Sequence, residues 1–507
     1  MTPDRTSIPP ADDLAGRAFH LIGIGGAGMS VVAEILAERG AVVTGSDAGG
    51  GDAFDRLREM GLTVHLGHDA ANVPADATVV VSTAIKDTNP ELRAARRRGQ
   101  PVMHRSEALA LAARGRDFVA VAGAHGKTTT SGMLAHALTA VGQDPSFAIG
   151  GVVRSLNTGA RVGAGPAFVA EADESDRSFL NYEPALEIVT NIEPDHLDNY
   201  GTAAAFAQAF VDFTARLRPG GRLIVCADDA GALRLAHAAA ARGTAVTTYG
   251  TCSPQLREDG GLVGDAHVQV EILDRRATGT SARLTRWRQT DEGGSRPVRP
   301  ENCELLGPVA LELSLPGDHV ALDAAGAWAA GLELGVEPEA MAQALGSFAG
   351  TGRRFEARGE VGGVRVIDDY AHHPTEIVAL LAAAREVADA RGGRVIALFQ
   401  PHLFSRTRNF ADRFGAALAG ADQTIVTAIY PARERQEDFP DVTGQCITDQ
   451  IPAHARYIAD AHAAALAAAA DARPGDLILT IGAGDVTRLG AVILEALAER
   501  GATDTPR

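Results

Sequence analysis

The stretch AFHLIGIGGAGMSVVAEILAERGAVVTGSD, residues 18–47, constrains the fold more than any other part of the chain. It reads as an apolar run, a tight glycine turn, a helix with apolar residues at helical spacing, and a second apolar run, which together make a βαβ opening. A second opening begins at DFVAVAG after the basic ARGRD stretch near Arg116. A third α/β unit starts near Gly350, with strands expected at VRVIDDY, RVIALFQ, TIVTAIY and DLILTIG. Alternation of this kind predicts an α/β fold with parallel sheets covered by helices. From about Val268 to Leu313 the pattern changes to alternating β-branched and polar residues, interrupted by DEGGSRPVRPEN, a polar run expected to be a hairpin tip or insertion. No repeat of solenoid period is present, and alanine-rich AHAAALAAAADA is expected to be a packing helix. At 507 residues the chain is too long for one core, and about three domains are expected.

The segment VAVAGAHGKTTTSGML, residues 119–134, joins a strand to a helix that opens on Lys-Thr-Thr-Thr, the layout of a phosphate-binding loop. The turn is short, because only Ala124 and His125 separate Gly123 from Gly126. Composition adds weight to Lys127. Of 47 basic residues only Lys86 and Lys127 are lysines, so lysine persists here in a chain that otherwise uses arginine. A compact ammonium enters a glycine nest where a planar guanidinium is too wide.

Gly23, Gly25 and Gly28 satisfy G-x-G-x-x-G, and Asp47 ends the following strand. The pattern specifies a pyrophosphate at a helix N-terminus and a protein carboxylate near a ribose or polar loop; a dinucleotide or a UDP-sugar supplies such a pyrophosphate. FVAEADESDRSFL is a strand ending in Glu171, Asp173, Glu174 and Asp176, a run that repels itself unless cations sit among its oxygens. IVTNIEPDHLDNYG repeats the theme with Asn191, Glu193, Asp195, His196 and Asp198. In a parallel sheet these acidic strand ends would neighbour Lys127.

A formal charge of −17 argues against nucleic acid or an anionic membrane as partner. The start MTPDRTSIPPADD carries no apolar export core and no 18-residue apolar span follows. Four scattered cysteines without a C-x-x-C pair fit a reducing compartment. A cytoplasmic location is expected.

GIGGAGMS, GAHGKTTT, EADESD, TNIEPDHLD, GTGRRFE, DDYAHHPTE, FQPHLFSRTR and GAGDVTRLG occur in an order that resembles the bacterial Mur ligases, over about Phe19 to Gly490. The resemblance implies three domains: a Rossmann-like UDP-substrate-binding unit over 14–115, a central P-loop ATPase-type parallel sheet over 116–348, and a Rossmann-like C-terminal unit over 349–507 that helps bind ATP and the amino acid. It implies an ATP-dependent amide ligase of the alanine-adding type, which activates the lactyl carboxylate of UDP-N-acetylmuramate as an acyl phosphate. Small-molecule substrates (UDP-N-acetylmuramate, L-alanine and ATP), Mg2+ and a monomer or weak homodimer go with it.

By the same resemblance, Gly23, Gly25, Gly26, Ala27, Gly28, Asp47 and Ser82 hold the UDP-substrate. Gly123, Ala124, His125, Gly126, Lys127, Thr128, Thr129, His319, Arg354 and Asp369 hold ATP. Thr128, Glu171 and His196 are implied as metal ligands, and Lys127, Glu171, His196 and Arg406 as the catalytic set. His372, His373, His402 and Arg406 would face the amino acid. Three positions depart from the family pattern: Asp323, Leu403 and Ala428. Two rival readings are a muropeptide-recycling ligase that adds a tripeptide to the same nucleotide, and a nicotinamide dehydrogenase, which would leave the Lys127 loop unexplained. A catalytically silent binding homologue would lack phosphate or metal ligands that this chain retains.

Overall fold

The computed structural model describes residues 14–253, 263–290, 303–451 and 453–503. The stretches 1–13 and 291–302, to which the expectations of a missing leader and a hairpin tip refer, lie outside them. The chain folds as two compact units. The first takes in residues up to Glu271, Arg283–Leu311 and Leu322–Phe348, and the second Ile272–Ala282, Glu312–Ala321 and residues from Ala349 onward.

In the first unit, β1 (Ala18–Ile22), β2 (Val42–Asp47), β3 (Thr63–Leu66), β4 (Thr78–Val81) and β5 (Val102–His104) form a parallel sheet in the order β3-β2-β1-β4-β5. The chain builds outward from β1 on one side and then restarts on the other at β4. The glycine loop after β1 therefore sits at the switch point, where an open α/β sheet leaves a crevice.

A ten-stranded sheet follows, built from β6 (Asp117–Ala122), β7 (Ser146–Val153), β8 (Thr158–Arg161), β9 (Ala167–Glu171), β10 (Leu186–Val189), β11 (Arg222–Cys226), β12 (Ala245–Gly250), β13 (Ala266–Arg276), β14 (Gly279–Gln289) and β15 (Cys303–Leu313). Its order is β15-β14-β13-β12-β11-β10-β6-β9-β7-β8. The expected parallel sheet is parallel only in its middle. β7 and β8 pair antiparallel, and β13 and β14 are joined by the two-residue turn Ala277–Thr278, which suits antiparallel neighbours alone. The physical reason is exposure: β15 alternates between buried and exposed residues at its C-terminal end, as a half-covered edge does. One apolar core runs through both sheets, from Leu21 and Ile35 to Phe118, Phe168 and Phe210.

The second unit carries β16 (Glu356–Val361), β17 (Val364–Asp369), β18 (Val395–Phe399), β19 (Gln423–Val426), β20 (Ala455–Tyr457) and β21 (Leu477–Ile481) in the order β16-β17-β21-β18-β19-β20. All pair parallel except β16, an antiparallel edge. Two apolar layers cover the sheet, one around Leu380, Phe399 and Phe414, the other around Ile396, Ile478 and Ile493. The alanine-rich helix Ala461–Asp471 buries Ala464, Ala465, Ala468 and Ala469 in the latter. No helix among the described residues is long and apolar enough to cross a membrane.

One group in the central sheet is costly. Glu187 of β10 is fully buried; Thr214 donates to one carboxyl oxygen at 3.2 Å and the other has no hydrogen-bond partner. Burial pushes this carboxyl up to about 8. The folded state therefore keeps a proton that the unfolded chain releases near its ordinary value of 4.5, so stability falls as pH rises from 4.5 to about 8. Glu187→Gln is expected to raise the thermal midpoint at pH 8, by roughly 2–4 °C per kcal/mol regained, and to change it little at pH 5. Equal shifts at both pH values in calorimetric scans would refute a protonated Glu187.

Candidate active site

The register of the central sheet places the chemistry. β6 lies between β9 and β10, with Val121 opposite Glu171 and Ala122 opposite Val189. The loop after β6 is thus flanked by the two acidic strand ends. Gly123 and Gly126 adopt φ of +137° and +81°, values that suit glycine. Two residues after β10 pin the loop. Thr190 Oγ1 donates to the His125 carbonyl at 2.5 Å, while the Asn191 side chain accepts from the His125 amide at 3.0 Å and donates to its carbonyl at 3.0 Å. The helix Lys127–Ala140 then begins without a side-chain cap, leaving the amides of its first turn without intrahelical partners.

Lys127 Nζ donates to the Gly123 carbonyl at 2.5 Å and to Glu174 Oε1 at 2.9 Å, and forms an ion pair with Oε2 of the same carboxylate at 2.8 Å. Burial alone disfavours the ammonium, but the Glu174 carboxylate outweighs it and holds Lys127 above the ordinary lysine range. Glu174 is 1% exposed, and burial lifts its carboxyl to about 7 against the pull of Lys127. His196, at φ +51°, brings Nε2 to 3.6 Å from Glu174 and 3.7 Å from Asp195. Glu171 accepts the Gly150 amide at 2.8 Å. Among the described residues, Glu171 and His196 do not belong to a ready-made group of three such ligands within 4.8 Å. The acidic run is relieved in part by the protein's own cations, Lys127 on Glu174 and Arg105 on Asp173.

The first glycine loop is clamped by its own sheet. Gly23 and Ile24 amides donate to the Ser46 carbonyl at 2.8 and 3.0 Å, and Asp47 accepts the Gly25 and Gly49 amides at 2.9 and 3.1 Å. Arg105 begins the next helix, Arg105–Ala112, and lies so close to Gly28 that a Cβ there would sit 1.9 Å from its Nη1. The same guanidinium reaches Asp173 at 2.6 Å. Thr83, next to Ser82, donates to Asp176, and His104 lies 3.6 Å from that carboxylate. The glycine loop and the acidic loop before Lys127 therefore share one arginine. Asp323 is buried over the phosphate loop, 2.7 Å from where a Cβ on Gly126 would be.

In the second unit, Asp369 ends β17 and accepts the Phe355 and Ala371 amides, both at 2.7 Å. Burial raises its carboxyl to about 6 despite nearby Arg354. Arg354 stands 5.3 Å over the Tyr370 ring and 3.6 Å from Glu376. Burial lowers His319 to about 4, so it is a neutral ring at pH 7. His372 meets His402 edge-on at 6.0 Å, and His402 stacks on Tyr430 at 5.7 Å. His373 is fully buried and its ring caps the helix Pro374–Asp389 in a box with Glu376. Arg406, in the first turn of Phe404–Leu418, is 6% exposed, and Leu403 before it takes φ +70°. Ala428 donates its amide to Ala459.

Residues 18–117 match the description "Mur ligase family, catalytic domain", 121–330 "Mur ligase middle domain" and 353–484 "Mur ligase, glutamate ligase domain". The chain belongs to the Mur ligase family. Its Mur ligase middle domain spans the Lys127 loop, Glu174 and His196, and the stretch before it spans Gly23 to Arg105. The UDP-N-acetylmuramate–L-alanine ligase of Kineococcus radiotolerans is 51% identical over 488 residues, 95% of this chain and 96% of that protein. That of Mycolicibacterium paratuberculosis is 46% identical over 498 residues, covering 95% and 96%. Among solved Mur ligases, the UDP-N-acetylmuramate-alanine ligase of Thermotoga maritima aligns with a TM-score of 0.72 at 27% identity over 96% of this chain and all of that one. The murein peptide ligase of Psychrobacter arcticus gives 0.65 at 25%, over 95% and 99%.

Several residues at this site escaped the sequence reading. Arg105, His104 and Thr83 belong to no motif, although HRSEALAL carries a usable signal: a polar residue three before a glutamate at the start of an apolar run, the mark of a capped helix. Thr190 and Tyr370 lie within TNIEPDHLD and DDYAHHPTE, although no spacing in either motif singles them out, and Tyr430 belongs to no motif.

Proposed function

We infer that the protein is an ATP-dependent ligase that joins L-alanine to the lactyl carboxylate of UDP-N-acetylmuramate in the synthesis of peptidoglycan precursors. The observation that carries the reading is the Lys127 loop set between two acidic strand ends and linked through Asp173 and Arg105 to a second glycine loop. Half-identical relatives of that name support it along nearly the whole chain.

An amide does not form from a carboxylate in water unless the carboxylate is activated. The lactyl carboxylate attacks the γ-phosphorus, ADP leaves, and the alanine amine then displaces phosphate from the acyl carbon. Lys127, swung from Glu174 to the phosphates, and the amides at the start of its helix neutralise the charge of the transferred group. An oxygen-rich donor set of Thr128, Glu171 and phosphate fits Mg2+, with His196 the less natural ligand; bound there, the ion would screen the phosphate charge. Gly23 to Gly28, Asp47, Ser82 and Arg105 take the UDP-sugar. In the second unit, Arg354, Asp369 and His319 are the proposed contacts to ATP, and His372, His402 and Arg406 those to the amino acid. The protein acts in the cytoplasm as a monomer or weak homodimer.

ADP release with UDP-N-acetylmuramate, ATP and magnesium tests the reading directly. L-alanine should sustain turnover; activity with a tripeptide alone would assign the chain to murein-peptide recycling. Two variants probe the outer contacts. Arg105→Ala is expected to raise KM for UDP-N-acetylmuramate about tenfold or more, the worth of one charge-assisted hydrogen bond to phosphate, with KM for ATP nearly constant. If the KM for ATP rose equally, Arg105 would be an internal strut. Arg406→Ala should raise KM for L-alanine far more than the other two constants, since bidentate arginine is suited to an amino-acid carboxylate. A uniform rise in steady-state kinetics would mark its buried position as purely structural.

A further inference from the structure

A buried carboxylate lies two hydrogen bonds from the first glycine loop. Glu91 stands in the first turn of the helix Pro90–Arg97 and is fully buried. A carboxylate taken out of water needs partners, and among the described residues none of them is a lysine or arginine. They are hydroxyl, amide and imidazole groups drawn from neighbouring strands and loops. Ser46 of β2 donates its hydroxyl to Oε2, while Oε1 accepts the side-chain amide of Asn72 at 2.8 Å and the backbone amide of Asp69 at 3.1 Å. His20 Nε2 and His68 Nδ1 stand 3.5 and 3.4 Å from Oε2. Burial alone would raise the carboxyl, but His20, Ser46 and Asn72 outweigh it and hold it down at about 2, so it is ionised. For stability alone an apolar side chain would serve this position, as it does at Leu92, Ala94 and Ala95 of the same helix.

Two chains of hydrogen bonds run from Glu91 to the loop. The first is direct: Ser46, held by its hydroxyl, presents its carbonyl to the Gly23 and Ile24 amides at 2.8 and 3.0 Å. The second passes through Asn72, whose side-chain amide also donates to the Gly67 carbonyl at 3.3 Å. The Gly67 amide donates in turn to the Asp47 carbonyl at 2.7 Å, and the Asp47 carboxylate accepts the Gly25 amide at 2.9 Å. Both oxygens of one carboxylate thus reach the loop, Oε2 through Ser46 and Oε1 through Asn72.

We propose that Glu91 is a positioning residue for the nucleotide of UDP-N-acetylmuramate: by orienting Ser46 and Asp47 it fixes the backbone amides of the Gly23–Gly28 loop, and it touches no substrate itself. The inference rests on the functional reading of that loop. Amides held in place beforehand take a pyrophosphate without an ordering cost, whereas a loosened loop must be ordered at the expense of affinity. The Lys127 loop belongs to another sheet, so ATP binding and phosphoryl transfer do not depend on Glu91.

Amide hydrogen exchange on the substrate-free full chain reads the positioning without any ligand. In Glu91→Gln, exchange across residues 23–28 should quicken at least about tenfold, while exchange across residues 123–129 stays as in wild type. Unchanged exchange in the first segment would overturn the proposal. By calorimetry the Kd for UDP-N-acetylmuramate should rise at least about tenfold in this variant and that for ATP stay within about threefold; in steady-state kinetics the matching KM should rise with kcat held. An equal loss of ATP affinity would overturn the proposal. Val79→Ala, which opens a cavity in the core of the same sheet, controls for general loosening. Its thermal midpoint should fall while its substrate affinity stays within about threefold of wild type, and an affinity loss as large as that of Glu91→Gln would reduce Glu91 to a strut. If Glu91→Gln does not fold, Ser46→Ala decides, since it removes only the hydroxyl: its Kd for UDP-N-acetylmuramate should rise at least about threefold, and no rise would overturn the proposal. Binding of UDP-N-acetylmuramate to wild type, measured first, tests the functional reading by itself; faster exchange in Glu91→Gln without such binding would overturn that reading and uphold the link from Glu91 to the loop.

Discussion

Lys127→Met is expected to lower the rate of ligation at least a hundredfold while leaving UDP-N-acetylmuramate bound. A charge preorganised on a transferring phosphoryl group contributes on the order of 3 kcal/mol or more, and methionine keeps the length of the chain while deleting the ammonium. The structure adds a consequence for the fold. Without Lys127, Glu174 stands buried with no adjacent ammonium, and its carboxyl, already lifted to about 7, rises further and takes up a proton. The variant should therefore lose stability progressively as pH rises from the ordinary carboxyl value of 4.5 through the raised folded-state value, because over that range the folded state holds a proton the unfolded chain gives up. Lys127→Arg should be nearly as inactive, since Nζ lies 2.5 Å from the Gly123 carbonyl and a planar guanidinium has no room there. ADP-release rates at saturating substrates decide the matter, and a tenth of the wild-type rate in Lys127→Met would remove this lysine from the chemistry.

What the sequence revealed and what it hid follow from range. Gly123 to Thr129 and the strand ending at Glu171 are local patterns, legible because a glycine turn and an apolar run each dictate their own geometry. The parallel register that sets Val121 opposite Glu171 then follows from β9 lying beside β6. The partner of Lys127 was not legible. Four carboxylates fall between Glu171 and Asp176, and once the chain leaves the sheet the loop decides which turns back toward the lysine; Glu174 does so, while Glu171 takes the Gly150 amide. Arg105 and Asp173 meet across 68 residues of sequence, and His125 and Asn191 across 66, separations at which no spacing rule operates. The second unit shows the same limit. DDYAHHPTE shows two adjacent histidines as equals, yet one caps a helix from full burial and the other meets the ring of His402.

The phosphate loop offers the sharpest steric test, because its glycines are required for different reasons. At Gly126 an added Cβ would meet the Asp323 carboxylate at 2.7 Å, the end of a side chain that can turn away. Gly123 has no such freedom. A Cβ there would sit 2.1 Å from Thr190 Oγ1 and 3.1 Å from the Asn191 amide and carbonyl, and φ is +137°, which side chains rarely adopt. Thr190 cannot yield without giving up the His125 carbonyl, nor can the backbone of Asn191 without moving the end of β10. Gly123→Ala should therefore displace the loop and lower ATP affinity about a hundredfold or more, the scale of losing several aligned amides at once. Gly126→Ala should cost less, and Asp323→Ala combined with it should recover part of the loss. UDP-N-acetylmuramate affinity should stay within about threefold in every variant, because its glycine loop is fixed by Ser46 and Asp47 of another sheet. Calorimetric titration of each nucleotide separates these outcomes; ATP binding within threefold of wild type in Gly123→Ala would mean that this turn does not hold the phosphates.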